Sequence, residues 1–504
     1  MAIRWKPSAC FAFALAAAFW AATGLQLVRS PAAQALSQQE EIELGREVRA
    51  QLAAQQAFFD DPIANAYFQR VCARVLKAAG PLPHPFSFYL INSDSLNAFA
   101  IPGGFIFLHT ETVSSLENEG QLAAILSHEV AHITSRHFAR RSEAARSASM
   151  LNLAGLLAGV LLASSGSGGQ NTGALGQALL IGTTGATIQA MLANSRADET
   201  EADAKGRAYM IKAGYNPRDM FGAFRIMNEK SYQLSGQLPG YLSTHPGLSS
   251  RLASTFADQA AAPPAPPDPK YQAVKDRVMA LTAQPRRIRD VFGKRLAEDP
   301  DDASAHHALG LLAMREMSYA QAEKSFNRAV ELQPNRGEYL SDLGELALKR
   351  RKPQEAVKSF EAARRGGELG LQTTLGLARA YELTNRKKEA APLYDEAAAE
   401  AGDFSPRALE LAGRFFGQNG QLAKGHFLLA DYFIASGQAK DAAFHCRTAQ
   451  QSPGGAGYKT LCEQKLRDAG WPDEDEKSRQ GDQKQDDQKD DQTGKKSKEP
   501  KKKG

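Results

Sequence analysis

A spacing of 34 residues recurs in the C-terminal half of the chain, and it restricts that half to one architecture. Gly310, Ala322, Phe326, Ala329 and Pro334 set the pattern. Shifted by 34, it gives Gly344, Ala356, Phe360 and Ala363, and shifted again Ala378, Ala390, Tyr394 and Ala397. A degenerate unit with Ala430, Ala442 and Ala449 follows after an extra helix. Small residues at these positions let two helices pair closely, and each pair must bury its apolar face on the next. One such match is only an Ala-rich helix. Three in register predict a curved α-solenoid over 286–470, a surface for docking a protein partner rather than for catalysis.

A second feature carries the chemistry. His128-Glu129-Val130-Ala131-His132 places two imidazoles at i and i+4, on one face of a helix, where both can grip one metal ion. Glu129 stands beside them as a general base for a metal-activated water. A catalytic zinc takes three protein ligands and leaves a position open. The third is sought in Ser195–Gly206, where Glu199 and Asp203 are again i and i+4. One carboxylate can reach the metal and the other can fix the tautomer of a ligand histidine. Taken alone, this acidic stretch reads more readily as a solvated helix face, and only its place after the two histidines favours a ligand; spacing leaves Glu201 as a competing ligand.

These motifs, with Asn97-Ala-Phe-Ala-Ile-Pro-Gly-Gly104 upstream and Thr244-His245-Pro246…Arg251 downstream, resemble the zinc metallopeptidases of the CAAX prenyl protease and HtpX type. The resemblance covers about residues 36–258. It implies a mainly α, zincin-like domain with a small β-sheet and one zinc ion per chain. It also implies Glu199 as third ligand, with Asp203 orienting a ligand histidine. His245 and Arg251 then approach the metal and support the oxyanion; the alternative is that His245 fills the open position and holds the enzyme latent. An extended substrate would add to the edge strand at Asn97 and Ala98 by backbone hydrogen bonds. The 34-residue units resemble tetratricopeptide repeats. The combination looks like the BepA-type periplasmic metalloproteases, which implies work on unfolded or misassembled outer-membrane proteins, with the repeats contacting the assembly machinery.

The ends carry addresses. Arg4 and Lys6 precede an apolar run from Ala9 to Val28, and Ala33-Gln34-Ala35 suits signal peptidase, so 1–35 reads as a signal peptide to a periplasm. An uncleaved anchor is the alternative. Residues 471–504 are Asp, Gln, Lys and Gly, a disordered charged tail. At 504 residues the chain holds two or more domains, and its net charge of +5, without interleaved basic and aromatic residues, gives no case for nucleic acid. Cys446 and Cys462 read either as a disulfide or as small buried apolar residues.

Between the motifs, helices are expected from Ser37 to Gln56, from Pro62 to Ala79 and from Leu116 to Arg146. Strands are expected at Phe86–Ile91, Leu96–Ile101 and Phe105–His109. His109 and His137 read as surface residues outside the ligand pair. The apolar arms of 148–194 read as packed helices, a lid, or a hairpin touching the membrane, and 259–285 as a Pro-rich linker. The function these features predict is an exported zinc endopeptidase. Two rivals are a chaperone or docking scaffold with a latent zinc site, and a membrane-embedded prenyl-type protease, which would need several spans.

Overall fold

The computed structural model describes residues 36–141 other than 83, then 155, 157, 159, 194–233, 241, 244–253, and 268–471 other than 368 and 369. The expected signal peptide, nearly all of the apolar 148–194 stretch, the start of the Pro-rich run and the charged tail lie outside these residues. Among the described residues, no helix is long and apolar enough to cross a membrane.

Ser37 opens helix α1 (Gln38–Ala54) with a capping box: its hydroxyl accepts from the Glu40 N–H while Glu40 accepts from the Ser37 N–H. Asp61 caps α2 (Pro62–Ala79), whose first residue is a proline that has no N–H to leave unpaired. A three-stranded sheet follows, built from β1 (Ser87–Ile91), β2 (Ala98–Ile101) and β3 (Phe105–His109) in the order β1-β3-β2. Strand β1 runs parallel to β3 and β2 antiparallel to it. Alternate side chains cover both faces. Tyr89, Ile91, Phe99, Ile101 and Phe107 pack on Leu44, Val48 and Leu52 of α1. Phe88, Leu90, Ile106 and Leu108 face Val71 and Val75 of α2 and the helices beyond.

After the short α3 (Thr110–Ser115), Asn118 caps α4 (Glu119–Thr134), its side chain accepting from the Gln121 N–H at 2.8 Å. Every residue of α4 from Gly120 to Ile133 is buried, so the metal-site helix is the centre of the domain. The single helix expected from Leu116 to Arg146 is broken. Arg136 takes a left-handed conformation, φ 52°, and α5 (His137–Arg141) leaves in a new direction. Long-range contacts impose the break: Arg136 pairs with Glu41 and donates to the Leu36 carbonyl at 2.7 Å. Helix α6 (Arg196–Lys212) crosses α4, and α7 (Arg218–Gln233) packs beside it. Gly206 makes that crossing close, because a Cβ there would lie 3.0 Å from both the N and Cα of His128.

Two further expectations are corrected. Strand β2 starts at Ala98, not Leu96, because the Asn97 main chain is used elsewhere: its N–H donates to Thr112 Oγ1 at 3.0 Å, and its carbonyl accepts from the His109 N–H at 3.0 Å. His109 is not a surface residue; it is fully buried, its Nδ1 2.9 Å from Ser95 Oγ. Burial pushes its imidazole down to about 4 from an ordinary 6.5. The unfolded chain therefore binds a proton that the folded chain refuses, and stability falls as pH drops from about 6.5 to about 4. At 1.36 kcal/mol per pH unit the loss amounts to about 3 kcal/mol. Urea titrations of His109→Gln over that range should show a slope shallower than wild type by that amount; parallel curves would count against it.

The stretch expected as a linker to residue 285 becomes helical at once. Asp268 caps α8 (Pro269–Thr282), and Pro269 again occupies the first position. Tyr271, Val274 and Val278 join the core around α2 and α4, and the Tyr271 hydroxyl donates to the Val113 carbonyl at 3.0 Å. Paired helices follow: α9 (Pro285–Glu298), α10 (Ala303–Arg315), α11 (Tyr319–Leu332), α12 (Gly337–Lys349), α13 (Pro353–Arg365), α14 (Leu371–Leu383) and α15 (Lys387–Ala401). The series ends with α16 (Pro406–Gln418), α17 (Leu422–Ala435), α18 (Ala439–Gln451) and α19 (Lys459–Asp468). The recurring alanines from Ala322 to Ala449 are fully buried, and the Phe326 and Phe360 rings lie where Gly310 and Gly344 lack a Cβ. Cys446 and Cys462 are free thiols buried beside Ala430 and Ala442, so the apolar reading holds and the disulfide does not.

One buried ionic cluster fastens the array to the N-terminal domain. Arg277 on α8 reaches Asp61 at 2.8 Å, Asp342 on α12 at 2.5 Å and Gln372 on α14 at 2.9 Å. His307 on α10 adds a 2.7 Å contact to Asp342.

Candidate metal centre

Helix α4 presents His128 and His132 one turn apart, their Nε2 atoms 2.9 Å from each other. Glu199 on α6 faces them, its oxygens 3.5 Å from His128 Nε2 and 3.3 Å from His132 Nε2. His245 comes from the turn before Pro246, with Nδ1 3.1 Å from Glu199 Oε1 and 3.3 Å from His128 Nε2. One donor atom from each of the four residues lies within 4.8 Å of all the others, and all four residues are buried. Tetrahedral ligands at about 2.0–2.1 Å from a zinc ion sit about 3.3 Å apart. Three imidazole nitrogens and a carboxylate converging in a buried pocket suit a cation placed between them, so this donor set fits zinc.

The surroundings tune each ligand. Asp203 Oδ1 lies 3.0 Å from His128 Nδ1, the nitrogen turned away from the cluster. Arg251, itself buried, donates to both Asp203 oxygens at 2.8 and 2.7 Å and pairs with Glu199. Burial alone would raise the Glu199 carboxyl, but the imidazoles of His245, His128 and His132 hold it far below the usual carboxylate range. Glu129 differs. Burial raises its carboxyl, which His245 and His128 only partly offset, and neither of its oxygens has a hydrogen-bond partner among the described residues. His245 Nε2 stands 3.5 Å from Glu129 Oε1.

Glu201, the competing ligand, points away from the cluster, to His137 at 3.2 Å and Lys205 at 2.7 Å. His137 is the residue that sequence reasoning misplaced. It is buried, 1% exposed, with Nδ1 2.7 Å from His132 Nδ1. With His132 offering Nε2 to the metal, its Nδ1 carries the proton and donates to His137 Nδ1; His137 then donates from Nε2 to Glu201. The available signal was a third histidine five residues beyond the second, discounted because an unbroken helix would carry it off the ligand face. Asn194 was also missed: its amide nitrogen lies 3.4 Å from both His132 Nε2 and His245 Nδ1.

Strand β2 is the sheet edge alongside α4. Because Asn97 bonds inward to His109, the antiparallel alternation turns the main-chain groups of Ala98 and Ala100 outward. Among the described residues, the main-chain groups of Ala98 face the outer edge of the sheet, and those of Asn97 do not. The cleft between β2 and the ligands, lined by Ala100, Ile101, Glu129, His132, Asn194 and His245, has a volume of about 40 Å³, room for a few waters but no side chain.

Known proteins resemble this chain in both of its parts. The family model for peptidase family M48 matches residues 62–256. Those residues are an M48 peptidase domain. Both histidines, Glu129, Glu199, His245 and Arg251 fall inside the M48 match, and a tetratricopeptide repeat model matches 341–406. The chain is 29% identical over 372 residues to the beta-barrel assembly-enhancing protease of Escherichia coli (strain K12), covering 71% of this chain and 73% of that one. The Yersinia pestis protein of the same name is 27% identical, covering 70% and 72%. The mitochondrial metalloendopeptidase OMA1 of Schizosaccharomyces pombe is 29% identical over 186 residues, 37% of this chain and half of its own. The chain is a zinc metalloendopeptidase with a tetratricopeptide repeat array.

In the M48 domain the His137 contact carries a quantitative expectation. Partners that hold the outer nitrogen of a ligand histidine are worth about 10–100-fold in metal affinity. Chelator competition on His137→Ala should show zinc held that much more weakly, with Glu201→Gln showing a smaller effect in the same direction. Unchanged affinity in His137→Ala would remove it from the site.

Proposed function

We propose that this chain is an exported, periplasmic zinc endopeptidase that cleaves misfolded or stalled outer-membrane proteins, its repeats docking protein partners of the assembly machinery. The observation that carries the reading is the alignment with the beta-barrel assembly-enhancing proteases, which runs through both the metal centre and the repeats. The complete donor set beside an intact Glu129 supports cleavage rather than binding alone.

His128, His132 and Glu199 would hold the ion, which when bound would supply Lewis-acid chemistry to a water and a peptide carbonyl. Glu129 takes the proton of the attacking water and returns it to the leaving amine; its burial and raised pKa suit both transfers. Asp203 and His137 fix the two ligand imidazoles. Arg251 holds Glu199 and Asp203 in place, which leaves its guanidinium committed to carboxylates. The substrate lies extended on β2, paired with Ala98 and Ala100, a mode with little sequence preference that suits unfolded clients. A peripheral membrane contact through 148–194 belongs to the same reading.

His245 favours a second state. Its place among the ligands and the narrow cleft suit an enzyme held latent, with His245 in the fourth position until a client or partner displaces it. A largely latent scaffold is the extreme of this reading. Following an unassembled β-barrel client in cells with wild-type or Glu129→Gln protein separates the two. Client persistence only in the variant supports cleavage; equal turnover would leave the scaffold.

A further inference from the structure

His245 does not stay among the ligands by its own contacts alone. Its N–H donates to the Tyr241 carbonyl at 2.8 Å, so the two residues share one face of a helical turn. Their rings stack, with centroids 4.4 Å apart and planes 22° apart. On its other side the His245 ring meets the edges of His128 and His132, each centroid 5.2 Å away. The imidazole is thus boxed between an aromatic face and the ligand cluster. Both Tyr241 and His245 are buried, 0% and 2% exposed. The Tyr241 hydroxyl makes no hydrogen bond among the described residues. A buried, unpaired phenol is unfavourable, so in this arrangement the ring rather than the hydroxyl does the holding.

We propose that Tyr241 is a positioning residue whose ring keeps His245 in the fourth position, and so sets the fraction of molecules in which the metal centre is closed to substrate. This rests on the reading of His245 as the closing group. His245 leaves only by giving up the stack, and an aromatic pair of this kind shifts such an equilibrium roughly two- to tenfold. Tyr241→Leu and Tyr241→Met remove the ring while keeping an apolar side chain. Tyr241→Phe keeps the ring and removes the unpaired hydroxyl.

The test follows zinc transfer from the full chain to a chromogenic chelator, and hydrolysis of an unfolded protein by the same samples. Removing the ring should speed zinc loss and raise basal hydrolysis, each by roughly two- to tenfold, as His245→Ala does. Tyr241→Phe should restore slow zinc loss. In the double variant with His245→Ala, Tyr241→Leu should add nothing further, because it acts through the histidine. Tyr241→Phe behaving like Tyr241→Leu, or additive effects in the double variant, would overturn the proposal. If the leucine variant does not fold, the methionine and phenylalanine pair gives the same contrast. His245→Ala changing neither readout would instead remove the closing role of His245, an outcome distinct from His245→Ala responding while Tyr241→Leu does not.

Discussion

Glu129→Gln should lower kcat/KM for protein cleavage by about 10²–10⁴-fold with zinc still bound at one ion per chain. The side chain is nearly isosteric, and Glu129 is not among the four residues whose donor atoms converge. Nothing that holds the ion is therefore disturbed. What disappears is the proton acceptor. Both Glu129 oxygens lack hydrogen bonds among the described residues, although the group is 1% exposed. A carboxylate kept buried without a hydrogen bond is a stability liability, which the amide relieves in part. The variant should therefore unfold at the same temperature as wild type or slightly above. Metal analysis, calorimetry and cleavage of one unfolded substrate on the same preparation check all three statements. Full activity with zinc bound would show that another group takes the proton.

Arg277→Met should destabilise the folded chain by about 3–5 kcal/mol. Arg277 pairs with both Asp61 and Asp342, His307 adds a contact to Asp342 alone, and Arg277 and the two carboxylates are buried. Removing the guanidinium leaves two buried carboxylates without their shared cation, which is worse than losing an exposed pair. Asp61 also caps α2, accepting from the Ala64 N–H at 2.9 Å, so its protonation would weaken that helix start as well. Denaturant unfolding gives the number directly. The loss should shrink when Asp342→Leu is added, since one of the stranded charges is then gone. A change below about 1 kcal/mol would mean that the cluster is solvated in solution.

Where the sequence was legible, the geometry was local. The two histidines of α4 share a face because four residues make about one turn, and Pro62 and Asp61 mark the start of α2 by capping chemistry alone. The repeat alanines were legible because the period repeats the same packing problem. The choice between Glu199 and Glu201 was not, since both sit on one short helix and only the crossing of α6 over α4 decides which meets the histidines. His137 was missed for a similar reason. Its position depends on the kink at Arg136, and that kink is held by Glu41 and the Leu36 carbonyl, far back in the chain. Arg277 gave no local signal either, because its partners Asp61, Asp342 and Gln372 come from three separate helices or their caps.

Gly206 gives the centre its scale. The helix bearing Glu199 rests directly on the backbone of His128, with only a hydrogen atom between them. Coordination lengths tolerate about 0.2 Å, and one methyl group would press the helices apart by about that much or more, a few tenths of an ångström. The grip on the ion is therefore calibrated by an atom that is missing, at a position that never touches it.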